Sequence, residues 1–169
     1  PRSRLDLVRV GIGTYGIAPS PALAGRADLR PALELRAEVA MVKRVRGGEG
    51  ISYGLTHRFQ RDATVATVPI GYADGATRRL SSTGGEVLIG GVRRPIVGTI
   101  TMDQLMVDCG DDDVSVGDEV VLIGRQGDEV VTAQEWADRL DTIAYEVVCG
   151  IGPRVPRHYH RSSGGGPGA

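Results

Sequence analysis

The sequence predicts a mainly β domain, a small barrel or sandwich, with short helices confined to its C-terminal part. Three observations carry this. Apolar and polar residues alternate with period two from Leu33 to Met41. Short apolar runs then recur at close spacing, separated by turn sequences. Helical periodicity begins only after Thr132.

Taken in order, Leu5 to Ile12 (LDLVRVGI) reads as a short buried strand with Arg9 embedded in it, ended by the glycine-rich turn Gly11-Ile12-Gly13. Residues 18–31 are rich in proline, alanine and glycine, so a loop and a domain boundary near residue 29 are expected. From Leu33, the residues Leu35, Ala37, Val39 and Met41 share one face, and Glu34, Arg36 and Glu38 the other, which predicts a half-buried antiparallel strand. Further strands are expected over Thr64–Ile70, Glu86–Ile89, Val92–Ile100, Leu105–Asp108 and Glu119–Ile123. Gly90-Gly91 supplies the positive φ of a tight hairpin, and Asp113 to Asp118 (DVSVGD) reads as another turn. Thr132 and Glu135 stand at capping-box distance, and Trp136, Leu140 and Ile143 recur at helical spacing, so two short helices are expected, then a closing strand over Arg154–His160. Ser162 to Ala169 (SSGGGPGA) reads as a flexible tail.

Composition narrows the function classes. The 169 residues suffice for one ordinary core, and 41% hydrophobic with 24% charged residues is the balance of a globular chain. A formal net charge of −1 offers no basic surplus for nucleic acid or acidic lipid. Cys109 and Cys149 lie far apart without CxxC spacing, which suggests neither zinc nor a disulfide framework and fits a reducing cytoplasm. The longest uncharged stretch, Val10 to Gly25, is broken by glycines and prolines and does not read as a membrane span, and no signal peptide opens the chain. The chain starts at Pro1 without an initiator methionine, as a segment cut from something longer would.

Aromatics are scarce at 4%, so the tyrosines draw attention. Tyr53 sits between small residues after the Gly47–Gly50 loop, with its hydroxyl reachable. A phenol ionises near pH ~10, so a tyrosine serving as base at neutral pH needs positive charge nearby; packing on the rim of a barrel is the alternative. Tyr72, in Gly71-Tyr72-Ala73-Asp74-Gly75, is placed either to line a site or in an ordinary turn built on Asp74-Gly75. A bend at Thr101-Met102-Asp103-Gln104 either exposes the Met102 amide to an anion, with Asp103 accepting backbone hydrogen bonds, or is purely structural. Arg9 needs a partner if buried. Gly11 to Gly13 are read as a plain turn or as N–H donors to a phosphate.

Taken together and in this order, Arg9-Val10-Gly11-Ile12-Gly13-Thr14-Tyr15-Gly16, Ile51-Ser52-Tyr53-Gly54, Ile70 to Gly75, Met102-Asp103-Gln104 and Thr142 to Val147 closely resemble the C-terminal half of bacterial alanine racemases. The resemblance runs from about Leu5 to Arg161. It implies a small antiparallel β-barrel-like domain with short helices over residues 30–161. Residues 1–29 would precede it as the last strand of a truncated (β/α)8 barrel that binds pyridoxal 5'-phosphate. It implies a homodimer whose active sites are shared between subunits, and interconversion of L- and D-alanine, which supplies D-alanine for cell-wall peptidoglycan.

Residue by residue, the resemblance makes Tyr53 the base that takes the α-proton of L-alanine. Arg9 would face the pyridine nitrogen of the cofactor and, being hard to deprotonate, leave that nitrogen without a proton. Gly11 and Ile12 would give backbone N–H groups to the phosphate, and Tyr145 its hydroxyl. Met102 would give its backbone N–H to the substrate carboxylate, Tyr72 would line the substrate entrance, and Arg78 would stand near the base. The family's second base is the cofactor-binding lysine of the (β/α)8 barrel. The only lysine here, Lys43, does not match it, so the chain is expected to bind cofactor poorly and to be inactive alone. Two other readings stand beside this one: a racemase of serine or another small amino acid, and a free-standing β-barrel binding module, suggested by Val116-Gly117-Asp118-Glu119-Val120.

Overall fold

The computed structural model of the chain describes residues 6–160. Strands begin where the alternation begins. β1 (Leu35–Glu38) buries Leu35 and turns Arg36 and Glu38 outward, and after the step Val39-Ala40 the chain continues as β2 (Met41–Val45). A small hairpin of β3 (Gly50–Ile51) and β4 (His57–Arg58) follows, then β5 (Ala63–Val68), β6 (Glu86–Ile89), β7 (Val92–Val97), β8 (Leu105–Gly110), β9 (Glu119–Gln126) and β10 (Glu129–Val131). Two helices, α1 (Ala133–Leu140) and α2 (Ala144–Gly150), complete the elements.

The main sheet runs β1-β9-β6-β7-β8-β5-β2, with β10 added to β9, and its pairs are antiparallel. Its two end strands are consecutive in the chain. Val39 N–H donates to the Asp118 carbonyl beside β9, and Ala40 N–H to the Thr67 carbonyl of β5, both at 2.9 Å. One stretch of backbone therefore serves both ends of the sheet, which closes it into a barrel and leaves no long free edge. Gly90 and Gly91 (φ 64° and 75°) make the two-residue hairpin between β6 and β7. Leu88, Leu105, Val107, Val120 and Leu122 are wholly buried, and Trp136, Ala137 and Leu140 of α1 join the same apolar cluster.

Four expectations are corrected. Among the described residues of Leu5–Ile12 there is no strand: residues 6–10 are irregular and exposed, and a 3-10 helix spans Gly11–Tyr15. A strand needs backbone alongside it, and no strand of the sheet lies against this segment. The single strand over 33–41 is two, because the Val39-Ala40 step carries the chain from one neighbour to the other and resets the phase, leaving Met41 52% exposed. No closing strand forms over 154–160: the segment is irregular, and the Arg157 guanidinium donates to the Ile151, Gly152 and Val155 carbonyls locally. Ile143 is exposed rather than continuing the helical stripe, because Asp141 (φ 55°) ends α1 in a left-handed cap. The tail expected over 162–169 lies outside the described residues.

Only half of the expected capping box forms. Thr132 Oγ1 accepts from Glu135 N–H at 3.0 Å, but the Glu135 carboxylate turns to Arg93, 2.8 Å away on β7. Arg93 also meets Glu86 and Glu129, and Arg139 of α1 meets Glu86 and Glu135, so the network ties α1 to the barrel wall. The Arg93 hydrogen bond, with help from Arg139, holds the Glu135 carboxyl below the usual carboxylate range against its partial burial. A group with a lowered folded pKa stabilises fully above its unfolded pKa, and that stability is lost as pH falls through the folded value. Glu135→Gln is therefore expected to cost about 1–2 kcal/mol at pH 7 and to flatten the fall in stability below pH ~4.5, measured by urea denaturation against pH.

Candidate active site

Tyr53 stands at the tip of the β3–β4 hairpin, in a 3-10 turn over Tyr53–Leu55. The tip is bent into backbone angles that ordinary residues rarely adopt: Ser52 has φ 62° and ψ −179°, and Leu55 has φ 47°. Such angles persist only where the surroundings enforce them. Here the enforcing groups come from the loop after β7. Ser52 Oγ donates to the Thr99 carbonyl at 2.6 Å, and Thr99 Oγ1 donates to the Tyr53 carbonyl at 3.2 Å. Gly98 lets the two segments touch, since a Cβ there would lie 2.9 Å from Ser52 Cβ. The backbone of Tyr53 is pinned while its side chain, in a residue 76% exposed, reaches solvent.

The same loop continues to Met102. Thr101 N–H donates to the Gln104 carbonyl at 2.9 Å, and Thr101 Oγ1 accepts from Gln104 N–H at 3.3 Å, forming the expected bend. Tyr72 N–H and Ala73 N–H donate to the Thr101 and Met102 carbonyls at 3.0 and 3.1 Å, which lays the Gly71–Gly75 turn along it. Gly71 has no room for a side chain, because a Cβ would sit 2.4 Å from both carbonyl oxygens. Tyr72 and Met102 are thus neighbours, each about half exposed, and among the described residues none accepts from the Met102 N–H. Arg78 is exposed at the start of a 3-10 helix over Arg78–Ser81, and Ser81 Oγ accepts from Ile100 N–H at 2.8 Å, tying it to the same loop.

Asp74 and Asp103 differ from their expected parts. Asp74 is buried and is more than a turn residue: Oδ2 accepts from Gly71 N–H at 2.9 Å, and Oδ1 lies 3.2 Å from Arg154 Nε. Asp103 accepts no backbone hydrogen bond of its loop; its carboxylate takes Arg154 Nη2 at 2.6 Å. Arg154 was no site candidate in the sequence, where it reads as part of a strand.

The remaining candidates lie elsewhere. Arg9 and Gly11 are exposed, so the Arg9 charge is solvated and needs no partner, while Ile12 is buried in the main core. The 3-10 turn beginning at Gly11 leaves its first N–H groups outside its own hydrogen bonds. Around Gly11 (φ 62°) a Cβ would meet nothing within 4 Å. Tyr145, in the first turn of α2, lines an apolar cavity of about 820 Å³ together with Tyr15, Gly16 and Ile17 from the end of that turn. Glu34 also lines this cavity, but its carboxylate is held by Arg36 at 2.7 Å. The Tyr145 helix reaches the other group of candidates at its far end, where Gly152 N–H donates to the Asp74 carbonyl at 3.1 Å.

A sequence model described as alanine racemase, C-terminal domain, matches residues 32–159. The alanine racemase of Symbiobacterium thermophilum is 52% identical over 160 residues, which cover 94% of this chain and 42% of that protein. The alanine racemase of Halothermothrix orenii is 49% identical over 162 residues, covering 95% and 42%. Among solved structures, the Bacillus anthracis alanine racemase with bound L-Ala-P superposes with a TM-score of 0.85 at 47% identity, covering 89% of this chain and 39% of that one. The Streptomyces coelicolor enzyme gives 0.84 at 47%, covering 91% and 40%. The chain thus spans about two-fifths of the length of these relatives.

Proposed function

The chain belongs to the alanine racemase family through its C-terminal domain, and we propose that it supplies one half of a pyridoxal-phosphate-dependent alanine racemase active site. The observation that carries this reading is the convergence of Tyr53, Tyr72 and Met102 on the one loop between β7 and β8. A proton carrier, an entrance wall and an amide donor are groups that would serve the protein's share of α-proton exchange on a small amino acid.

The roles follow from chemistry. The Tyr53 phenol moves the proton at Cα on the face of L-alanine, and its pinned backbone fixes where the phenol swings. The Met102 N–H holds the substrate carboxylate, and Tyr72 narrows the approach to small side chains. Arg78, on the element tied to the same loop, adds positive charge near the base. The cofactor, when bound, delocalises the electrons left by the departing proton. Tyr145 and the N–H groups of Gly11 and Ile12 fit its phosphate: they are donors, Gly11 is uncrowded, and the turn that starts there ends on the cavity Tyr145 lines. Arg9, exposed and permanently charged, suits the pyridine nitrogen.

Racemisation takes a proton from one face and returns one to the other, so a second acid-base group is needed. Lys43 does not qualify, being exposed on β2 in register with Val65. The second group, and most of the cofactor site, come from a (β/α)8 barrel that pairs with this domain, in a homodimer that shares its sites. No helix among the described residues is long and apolar enough to cross a membrane. The purified 169-residue chain with added pyridoxal phosphate is expected to racemise L-alanine no faster than the free cofactor does. Mixing it with a racemase barrel that carries the lysine is expected to restore turnover. Turnover by the chain alone, or none in the mixture, would contradict the reading.

A further inference from the structure

We propose that Arg154 is a positioning residue of this site: it clamps the Tyr72 turn onto the Met102 loop and cancels the Asp103 charge beside the seat of the substrate carboxylate. The inference rests on the proposed reading of Met102 as a carboxylate donor. Arg154 follows α2 in the chain and belongs to neither loop, yet its guanidinium spans both, with Nε 3.2 Å from Asp74 Oδ1 and Nη2 2.6 Å from Asp103 Oδ1. Asp74 is the fixed side of the clamp. It is buried, its other oxygen takes Gly71 N–H, and its carbonyl takes Gly152 N–H, so the turn and the chain after α2 form one unit. Gly75 makes the same contact from the other side, where a Cβ would meet the Gly150 carbonyl oxygen at 2.8 Å.

Asp103 is the exposed and electrostatically awkward side. Its side chain is 61% exposed, and it directly follows the residue whose N–H would receive a carboxylate. An uncompensated negative charge there repels an incoming carboxylate, whereas an ion pair with Arg154 leaves the loop close to neutral. A guanidinium is suited to this because its planar fork offers donors to two carboxylates at once, which a lysine ammonium does less well.

Two measurements decide the matter. In the enzyme assembled from this chain and a racemase barrel, Arg154→Met is expected to raise KM for alanine about tenfold with a much smaller change in kcat. Asp103→Asn alone is expected to leave KM near wild type, and the double variant to recover most of the loss. That recovery is the mark of charge cancellation, which a purely structural role would not show. Should Arg154→Met fail to fold, the equally uncharged but polar Arg154→Gln replaces it and is expected to raise KM to a similar degree. In the 169-residue chain, the Ala73 amide, which donates to Met102, is expected to exchange with solvent at least about tenfold faster in Arg154→Met, with β5 and β8 amides unchanged. Unchanged KM, or a double variant no better than the single, would overturn the electrostatic role. Unchanged Ala73 exchange would overturn the clamp. If the wild-type assembly does not racemise alanine, the proposed function fails, and the exchange measurement still judges the clamp.

Discussion

Tyr53→Phe is expected to lower alanine racemisation by the assembled enzyme roughly 10²–10⁴-fold, the usual contribution of a positioned acid-base group. The change removes a single oxygen from a side chain that makes no hydrogen bond to a described residue. What holds the hairpin tip is Ser52 Oγ on the Thr99 carbonyl and Thr99 Oγ1 on the Tyr53 carbonyl, and neither involves the phenol. Thermal stability of the isolated chain should therefore stay within about 0.5 kcal/mol of wild type, as for exposed substitutions generally. A parallel loss of stability and activity would mean that the hydroxyl holds the loop instead of serving the chemistry.

Gly71→Ala is expected to carry the largest cost to the fold, about 3 kcal/mol or more in urea denaturation of the chain. The new methyl would lie 2.4 Å from the Thr101 and Met102 carbonyl oxygens, and those oxygens are not free to move. They accept the Tyr72 and Ala73 amides, so relieving the clash breaks the bonds that join the two loops. Racemisation by the assembled enzyme should fall with it. Gly117→Ala is the control: its φ of 93° strains any side chain, but a Cβ there meets nothing within 4 Å. It should cost only about 1 kcal/mol. Equal costs at the two positions would show that the tight approach at Gly71 does not bind the loops together.

Local chemistry in the sequence was enough to specify much of this fold. The Glu86–Ile89 strand, the Gly90-Gly91 hairpin and the Thr132 cap are each set by residues within a few positions of one another; the first two form as expected, and Thr132 caps α1 although the Glu135 half of the box does not form. Barrel closure is not local. It depends on Val39 and Ala40 donating to partners near residues 118 and 67, and period-two alternation cannot tell one long strand from two that share a corner. The hairpin that adds β10 does have a signal, the dipeptide Gly127-Asp128 with Gly127 at φ 62°, but the strand it announces is only Glu129–Val131.

The site divides in the same way. Tyr53, Tyr72 and Met102 stand out in the sequence because motif residues surround them, and the fold brings all three to one loop. Arg154 carries no local motif, and its partners Asp74 and Asp103 lie far back along the chain, so only the folded chain reveals it. Asp74 looks like a turn residue because the dipeptide Asp-Gly is common in turns; its burial against the end of α2 is a tertiary fact.

Whether Tyr53 is one of two bases and acts on the L face is decided by α-proton exchange with deuterated solvent. The Tyr53→Phe assembled enzyme would be given L-alanine and D-alanine separately. Exchange from L-alanine is expected to be lost while exchange from D-alanine, served by the other base, persists at a substantial fraction of the wild-type rate. Equal loss from both enantiomers, or persistence of both, would contradict that role.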